Sequence, residues 1–299
     1  MSAVFLCAVV FPCLAIASQT KLVLLGTGTP RQDPDRFGPA SAVVVNGAAY
    51  LIDCGPGVVR RAAAARANGV PELAPVNLKH VFVTHLHSDH TLGYPDLILS
   101  PWVVGRKDPL EAYGPTGLEN MTSHILAAYS EDIDIRIHGL EHGNSTGYKV
   151  NVHEIKPGIV YKDENVTVTA FYVKHGTWKE AFGYQFKTAD RTIVLSGDTC
   201  PCEDLSVAAQ DADVLVHEVY EESEAAPENR PGGDEWTKYM RSFHTSAQEL
   251  GAIAAKCKPK LLVLYHVLRR QATDAQLIEE VRKGGFLGPV VVAKDLDVY

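Results

Sequence analysis

The amino-acid sequence predicts an α/β fold, an αββα sandwich in which two facing mixed sheets carry helices on their outer sides. Two observations lead to this prediction. β-rich runs occur in both halves of the chain, and helical stretches lie before, between and after them. Sheets and helices that each bury one face stack into such layers. No linker interrupts the pattern, so residues 19–299 are expected to form a single domain.

The predicted strands are short apolar runs bounded by turn residues. The first strand ends in a glycine-rich turn at residues 26–30, and Asn46-Gly47 joins the next two strands into a hairpin. Strands are predicted at residues 21–25, 42–45, 49–52, 81–83, 166–173, 182–186, 192–195, 214–216, 261–264 and 290–292. Helices are predicted after residues 53–57 up to about residue 68, at residues 245–256 and at about residues 274–282.

One polar segment breaks this rhythm. Residues 221–241 contain two prolines and two adjacent glycines, Gly232 and Gly233. Such residues punctuate regular structure, so the segment is predicted to be an exposed loop beside the functional site.

The first 18 residues predict a secretory signal peptide. No charged side chain precedes Lys21, and the apolar run ends in Ala15-Ile16-Ala17, a small-x-small cleavage pattern. The protein is therefore expected to be secreted or periplasmic, with no stable membrane span after cleavage, because a span needs about 20 apolar residues. An uncleaved N-terminal anchor is the alternative.

The charge balance argues against a nucleic-acid partner. The formal net charge is −8, and no basic patch stands out in the sequence. An acidic chain repels phosphate backbones.

A histidine cluster carries the strongest chemical signal. Three imidazoles and a carboxylate (His85, His87, Asp89 and His90) follow the predicted buried strand at residues 81–83. Imidazole nitrogen and carboxylate oxygen are the usual nitrogen and oxygen ligands of zinc. Alternate residues of an extended segment face the same way, so His85 and His87 can share one metal ion. Asp89 and His90 can then reach a second ion.

Two ions need more ligands than this cluster supplies. His175, Asp198 and His266 each follow a predicted strand, which is where a sheet edge receives a side chain. We therefore predict that these three complete the metal site.

Together these residues resemble the metallo-β-lactamase superfamily and, within it, the ribonuclease Z-like branch. The resemblance runs from Lys21 to about His266. Its motifs are Gly26-Thr27-Gly28, Asp53-Cys54-Gly55, the His85 to His90 cluster, Tyr113-Gly114-Pro115, His175 with Gly183-Tyr184, Gly197-Asp198-Thr199, His217-Glu218, His244-Thr245-Ser246 and His266. The histidine cluster is typical of the superfamily, and its combination with the Asp198 and His244 motifs is typical of the branch.

The resemblance implies a metallo-β-lactamase-type fold and an assignment of the metal ligands. One Zn²⁺ is held by His85, His87 and His175, and the other by Asp89, His90 and His266. Asp198 and a hydroxide bridge the two ions, and Mn²⁺ or Fe²⁺ can replace Zn²⁺. Two such ions lower the pKa of bound water from about 15.7 to about 7.

The resemblance also implies catalytic roles and an assembly state. Asp89 orients the bridging water, and His244 contacts the substrate phosphate and protonates the leaving group. Glu218 positions His244. A homodimer is a further expectation from this branch.

The substrate is predicted from a missing segment. Bacterial ribonuclease Z enzymes carry a long tRNA-binding arm between the Gly-Tyr motif and the bridging aspartate. Here Gly183-Tyr184 and Asp198 are separated by thirteen residues, 185 to 197, which suffice for a hairpin only. A small-molecule phosphodiester or a related ester, such as an aryl sulfate, is therefore the predicted substrate, and tRNA is disfavoured.

Three other functions stay open at this point. Residues 243–248 resemble a metagenomic β-lactamase built on the ribonuclease Z-like frame, and a lactonase shares the same dinuclear site. A non-enzymatic metal-binding module is the third. It needs closed coordination, whereas seven ligands for two ions leave room for hydroxide.

Overall fold

A computed structural model of the protein describes residues 19–299. The predicted signal peptide at residues 1–18 lies outside the described residues. Within residues 19–299, no helix is both long and apolar enough to cross a bilayer.

The first sheet comes from the N-terminal half of the chain, in the order β1-β2-β3-β4-β5-β6. Its strands are β1 (Lys21–Gly26), β2 (Ala40–Val45), β3 (Ala48–Ile52), β4 (His80–Phe82), β5 (Leu110–Gly114) and β6 (Val150–Glu154). The first three are antiparallel neighbours, and β3 to β6 run parallel.

The second sheet comes from the C-terminal half, in the order β13-β12-β11-β10-β9-β8-β7. Its strands are β7 (Gly158–Lys162), β8 (Thr167–Tyr172), β9 (Phe182–Lys187), β10 (Thr192–Leu195), β11 (Val214–Tyr220), β12 (Leu261–Leu268) and β13 (Val290–Val292). From β7 through β10 each strand is antiparallel to the next, and from β10 through β13 each strand is parallel to the next.

Helices cover the outer face of each sheet. The described helices are α1 (Val58–Ala67), α2 (Ser88–Thr91), α3 (Tyr94–Val103), α4 (Leu118–Ala128), α5 (Ser130–His138), α6 (Glu203–Ala208), α7 (Trp236–Phe243), α8 (Ala247–Cys257) and α9 (Asp274–Lys283). Of these, α1, α3, α4 and α5 pack on the first sheet, and α6, α8 and α9 pack on the second. Ser246 caps α8, because its side chain accepts from the Glu249 amide while the Glu249 carboxylate accepts from the Ser246 amide.

The layer order follows from the alternation of side chains along β1. Leu22 and Leu24 pack between the two sheets with Phe186 of β9. Val23 and Leu25 point to the other side and pack against α1 and α3. Both faces of the strand are thus buried, which explains why it reads as an unbroken apolar run. The predicted αββα sandwich of two facing mixed sheets is confirmed.

The strands predicted from sequence all occur, with ends that differ by a few residues. The sequence prediction omitted β5, β6 and β7. These strands contain charged or small residues, and β6 and β7 lie at sheet edges with much of their surface exposed. An edge strand lacks the apolar alternation on which the prediction relied.

The prediction of an exposed loop at residues 221–241 is wrong in part. The segment contains the helix α7, and Glu224, Ala225 and Met240 within it are buried. All prolines and glycines of the segment precede α7, so they interrupt regular structure only in the first half of the segment. The polar side chains of α7 face solvent, and Met240 packs inward. The helix was therefore not predicted, because the segment reads as polar in the sequence.

Candidate metal centre and active site

The carboxyl ends of β4, β8 and β10 meet at one edge of the sandwich. His85, His175 and Asp198 each lie three residues past the end of one of these strands. Their ligand atoms and that of His87 lie within 4.8 Å of one another. Nε2 of His85 is 3.0 Å from Nδ1 of His87, and Nε2 of His175 is 3.1 Å from the same atom. The structure thus brings together the residues that the sequence predicts for a first metal ion.

A second group lies beside the first. Asp89, His90 and His266 also place their ligand atoms within 4.8 Å of one another, and all three are buried. Oδ2 of Asp89 is 3.2 Å from Nε2 of His266 and 3.6 Å from Nε2 of His90. Asp89 and His90 reach this position because the chain turns into the short helix α2 directly after His87.

A β-bulge aims His266 into this group. The pairing of β11 with β12 shifts register between Glu218 and Val219, opposite His266. His266 has a φ of 44°, which an L-residue rarely adopts. Bulges next to active sites commonly redirect a side chain in this way. The sequence prediction placed His266 after its strand, whereas the residue interrupts a strand that continues to Leu268.

Asp198 lies between the two groups. Its Oδ2 is 3.9 Å from Nε2 of His175 and 3.7 Å from Nε2 of His266, and its Oδ1 is 3.4 Å from Nε2 of His90. A single carboxylate therefore faces imidazoles from both groups, which is the position that a bridging ligand requires.

The donor geometry fits zinc. A tetrahedral zinc ion with Zn–N distances of about 2.0–2.1 Å holds its nitrogens about 3.3 Å apart, close to the 3.0 and 3.1 Å between the imidazoles of the first group. Where the two groups meet, Nε2 of His90 and Oδ1 of Asp198 are buried and make no hydrogen bond to any described residue. Buried polar atoms are normally paired. A metal ion would satisfy both.

Contacts on the far side of two imidazoles fix which nitrogen faces the site. Nδ1 of His175 donates to the carbonyl of Phe243 at 2.7 Å, since a carbonyl can only accept. The Thr84 hydroxyl gives its proton to Asp53, so it accepts from Nδ1 of His85 at 3.0 Å. Both imidazoles therefore present an unprotonated Nε2 to the first metal position.

Asp53, for which the sequence predicts no role, supports the second group. Its carboxylate accepts from Nδ1 of His90 at 2.8 Å and from the Thr84 amide at 2.7 Å. Asp53 is buried, with a φ of 59°. Carboxylates that hold a ligand histidine in this way raise its basicity and fix its orientation. The signal in the sequence is the Asp53-Cys54-Gly55 motif, which was noted only as part of the resemblance.

The two groups differ in electrostatics. Burial lowers the pKa of His85 well below its ordinary value and lowers that of His175 to about 4. Burial also opposes charge on His90 and His266, but the neighbouring carboxylates together outweigh it and raise the pKa of both. Asp198 acts on both imidazoles, joined by Asp53 at His90 and by Asp89 at His266. The first group therefore offers neutral imidazoles. The second favours positive charge, which is what a metal ion supplies.

His244 and Glu218 form a buried pair beside the first group. Nδ1 of His244 is 3.3 Å from Oε1 of Glu218, which also accepts from the amides of Thr199 and Thr245. Burial lowers the pKa of His244 to about 4 and raises that of Glu218 well above its ordinary value. His244 is thus neutral at pH 7. It can protonate a leaving group only after an anionic substrate has raised its pKa.

A cavity of about 240 Å³ opens over these groups. Asp89, Asp198, His244 and His266 lie at its floor. The walls are formed by the residues Thr29, Pro30, Arg31, His87, Ser88, Glu224, Trp236, Tyr239 and Leu268. Segment 221–241 thus borders the site, as predicted, and contributes aromatic side chains from α7.

Comparison with known proteins identifies the family. The family model described as "Beta-lactamase superfamily domain" matches residues 48–267. Ribonuclease Z of Mycobacterium sp. (strain KMS) is 36% identical over 255 residues, which cover 83% of this chain and 84% of that protein. The chain belongs to the metallo-β-lactamase superfamily, in its ribonuclease Z-like branch.

Solved structures share the metallo-β-lactamase fold. The metallo-beta-lactamase fold protein YhfI from Bacillus subtilis is similar with a TM-score of 0.69 and 18% identity, covering 94% of this chain and 98% of that one. The human tRNase Z short form has a TM-score of 0.65 and 24% identity, covering 93% and 98%. At these identities the likeness concerns the fold alone. Family membership and the two ligand groups make this metallo-β-lactamase-fold protein a metal-dependent hydrolase.

Proposed function

We propose that the protein is a dinuclear zinc hydrolase that cleaves small phosphodiesters or related esters. The observation that carries this proposal is the convergence of seven ligand side chains beneath an open cavity. Five of them are imidazoles and two are carboxylates, a donor set that suits zinc, with Mn²⁺ or Fe²⁺ as substitutes. Two bound ions supply a water nucleophile that is ionised near neutral pH and stabilise charge on the substrate oxygen.

The first ion would be held by His85, His87 and His175, and Asp198 would join it to the second. Asp89, His90 and His266 would hold the second ion. Asp89 also lies on the cavity floor, where its carboxylate can orient the attacking water.

His244 would act on the leaving-group side. Its Nδ1 proton is directed at Glu218, which leaves Nε2 for the substrate. An anionic phosphoryl group next to this imidazole raises its pKa, so that His244 can take up a proton and pass it to the departing oxygen. Glu218, fixed by two backbone amides, holds the imidazole in that orientation.

The size of the site supports a small substrate. Pockets for drug-sized ligands measure about 300–1,000 Å³, whereas this cavity measures about 240 Å³. The hairpin of β9 and β10 turns within residues 188–191, so no arm extends from it. The net charge of −8 further disfavours tRNA. Ribonuclease activity is nevertheless the second candidate, because the relatives at 36% identity are ribonuclease Z proteins.

A substrate panel tests the proposal on protein purified with zinc. Bis-p-nitrophenyl phosphate, p-nitrophenyl sulfate, nitrocefin, a homoserine lactone and a precursor tRNA are assayed in parallel, with metal content measured on the same sample. We expect about two zinc ions per chain and fastest turnover of the phosphodiester. Asp198→Ala should abolish turnover and reduce zinc content, whereas Asp204→Ala, an exposed control in α6, should change neither.

Each remaining outcome identifies another function. Turnover of nitrocefin or of the lactone alone would replace the proposal with a β-lactamase or a lactonase. Preferred cleavage of precursor tRNA would favour ribonuclease Z activity. Metal binding without turnover of any of the five would indicate a binding module.

A further inference from the structure

Tyr239 stands in a column of aromatic rings along α7. Its ring stacks on Trp236 at 4.9 Å between centroids and on Phe243 at 4.4 Å, with interplanar angles of 17° and 24°. The spacing of three and four residues puts these rings on one face of the helix. Both faces of the Tyr239 ring are therefore covered, and its orientation is fixed.

The column is anchored to the metal centre. The Phe243 ring meets His175 edge-on at 5.0 Å, and the Phe243 carbonyl accepts from the same imidazole. At the outer end, the Trp236 indole donates to the Glu224 carbonyl at 2.7 Å. Tyr239 is thus held between two fixed neighbours, with its edge in the cavity wall.

The hydroxyl of Tyr239 has no hydrogen-bond partner among the described residues. A partly buried phenol usually finds a partner, so this one is available to a ligand. Burial raises the pKa of Tyr239, and the carboxylates of Asp198 and Asp89 raise it further. The hydroxyl therefore keeps its proton at neutral pH and lies within electrostatic reach of the ligand groups.

Two other donors in the cavity wall, Arg31 and Trp236, are already engaged. The Arg31 guanidinium makes two hydrogen bonds to the buried Glu224 carboxylate, at 3.2 and 3.0 Å, and a third to the Arg269 carbonyl. The Trp236 indole donates to the Glu224 carbonyl. The free hydroxyl of Tyr239 thus faces a cavity whose arginine is neutralised by a carboxylate.

We propose that Oη of Tyr239 donates a hydrogen bond to a non-bridging phosphoryl oxygen of the substrate. The residue thereby favours anionic, tetrahedral esters over neutral lactams and lactones. This inference rests on the proposed function of the site. It assigns Tyr239 to substrate binding, next to His244 on the leaving-group side.

The test compares zinc-loaded Tyr239→Phe with wild type. The variant removes only the hydroxyl and keeps the ring that stacks between Trp236 and Phe243. Tyr129→Phe is the matched control, because Tyr129 is exposed and lines no part of this cavity. Binding of inorganic phosphate is measured by calorimetry, and kcat/KM is measured with bis-p-nitrophenyl phosphate and nitrocefin.

For Tyr239→Phe we expect weaker phosphate binding and lower phosphodiester kcat/KM, each by about 10- to 100-fold, as for the loss of a hydrogen bond to a charged oxygen. Zinc content, unfolding temperature and any nitrocefin turnover should match wild type. Tyr129→Phe should behave as wild type throughout.

The inference on Tyr239 and the proposed function fail in different ways. A wild-type protein that hydrolyses no phosphodiester contradicts the proposed function, while phosphate binding still decides the role of Tyr239. Phosphate binding unchanged within twofold in Tyr239→Phe overturns the inference. So does a wild-type protein that binds no phosphate, or a loss of binding that is accompanied by loss of zinc.

Discussion

Nδ1 of His90 donates a 2.8 Å hydrogen bond to Oδ2 of Asp53, and both side chains are buried. Asp53 comes at the end of β3 in the sequence, 37 residues before His90. The contact therefore links the segment between β3 and α1 to the metal-ligand cluster that follows β4.

Asp53→Asn should weaken binding at the second metal position. Asparagine tolerates the left-handed backbone at this site, but it removes the negative charge that faces His90. Loss of such an outer partner typically lowers metal affinity by about 10- to 100-fold. Zinc affinity is measured by competition with a chromophoric chelator, with Asp204→Asn as the exposed control. Unchanged affinity for both zinc ions would show that Asp53 serves only the backbone turn.

His244→Ala should lower turnover and leave the zinc content intact. General acid–base residues contribute about 10²- to 10⁴-fold to rate. The loss should be larger for an alkyl leaving group than for p-nitrophenolate, which leaves without help. Metal analysis and kcat for two such phosphodiesters check this, with the exposed His138→Ala as control. Wild-type turnover on both substrates would contradict the role given to His244.

The Trp178 indole donates to Nε2 of His87 at 2.8 Å, so in this arrangement the His87 proton sits on Nδ1. If Nδ1 of His87 holds a metal ion, the imidazole proton would have to lie on Nε2, where it would oppose the indole N–H. Metal binding should therefore break this hydrogen bond, which is worth about 0.5–1.5 kcal/mol.

Trp178→Phe is expected to bind the first zinc ion about two- to tenfold more tightly, because the bond no longer has to be broken. Zinc should also change the tryptophan fluorescence of wild type but not of this variant. Trp102→Phe, a core position within α3, is the control that keeps the signal. Unchanged zinc affinity in Trp178→Phe, with no fluorescence change in wild type, would mean that metal binding does not break the hydrogen bond between the indole and His87.

Metal ligands that lie close together in the sequence could be predicted from the sequence alone. His85 to His90 lie within one turn after β4, so their ligand character was readable without a structure. His175, Asp198 and His266 were identified because predicted strands end just before them. The local sequence does not show that the end of β4 and the ends of β8 and β10 meet at the same edge of the sandwich; only the fold shows this.

Other features had no local signal. The contact of Asp53 with His90 and the bulge at His266 depend on strand register, which pairing across the sheet decides. The position of Tyr239 in the cavity wall could not be predicted for a related reason. Its helix is polar on the solvent side, and the aromatic column becomes visible only when the segment packs against His175.

Asp163 links the two sheets and should make stability depend on pH. Its carboxylate accepts from the hydroxyls of Tyr50 and Tyr161, at 2.5 and 2.8 Å, and from the amides of Asn165 and Val166. Tyr50 belongs to β3 of the first sheet, whereas Asp163 lies in the turn between β7 and β8 of the second.

Burial raises the pKa of Asp163, but these four donors outweigh it and hold the pKa below its ordinary value. The pKa of an aspartate in the unfolded chain is about 3.9. Because the folded value is lower, the ionised carboxylate stabilises the fold above about pH 4. This stabilisation is lost as the pH falls through the folded pKa.

Asp163→Asn should therefore lower the free energy of unfolding at pH 7 by about 1 kcal/mol, less than the roughly 1.5–3 kcal/mol of a buried hydrogen bond to a charged group, because solvent screens the half-buried Asp163. The difference from wild type should shrink between pH 5 and pH 3, as wild type loses the same charge. Urea titrations of metal-free protein measure it, so that metal release does not contribute. Asp134→Asn, on the exposed face of α5, should match wild type at every pH. A deficit for Asp163→Asn that stays constant down to pH 3 would mean that packing of the turn, rather than the carboxylate charge, stabilises the contact between the sheets.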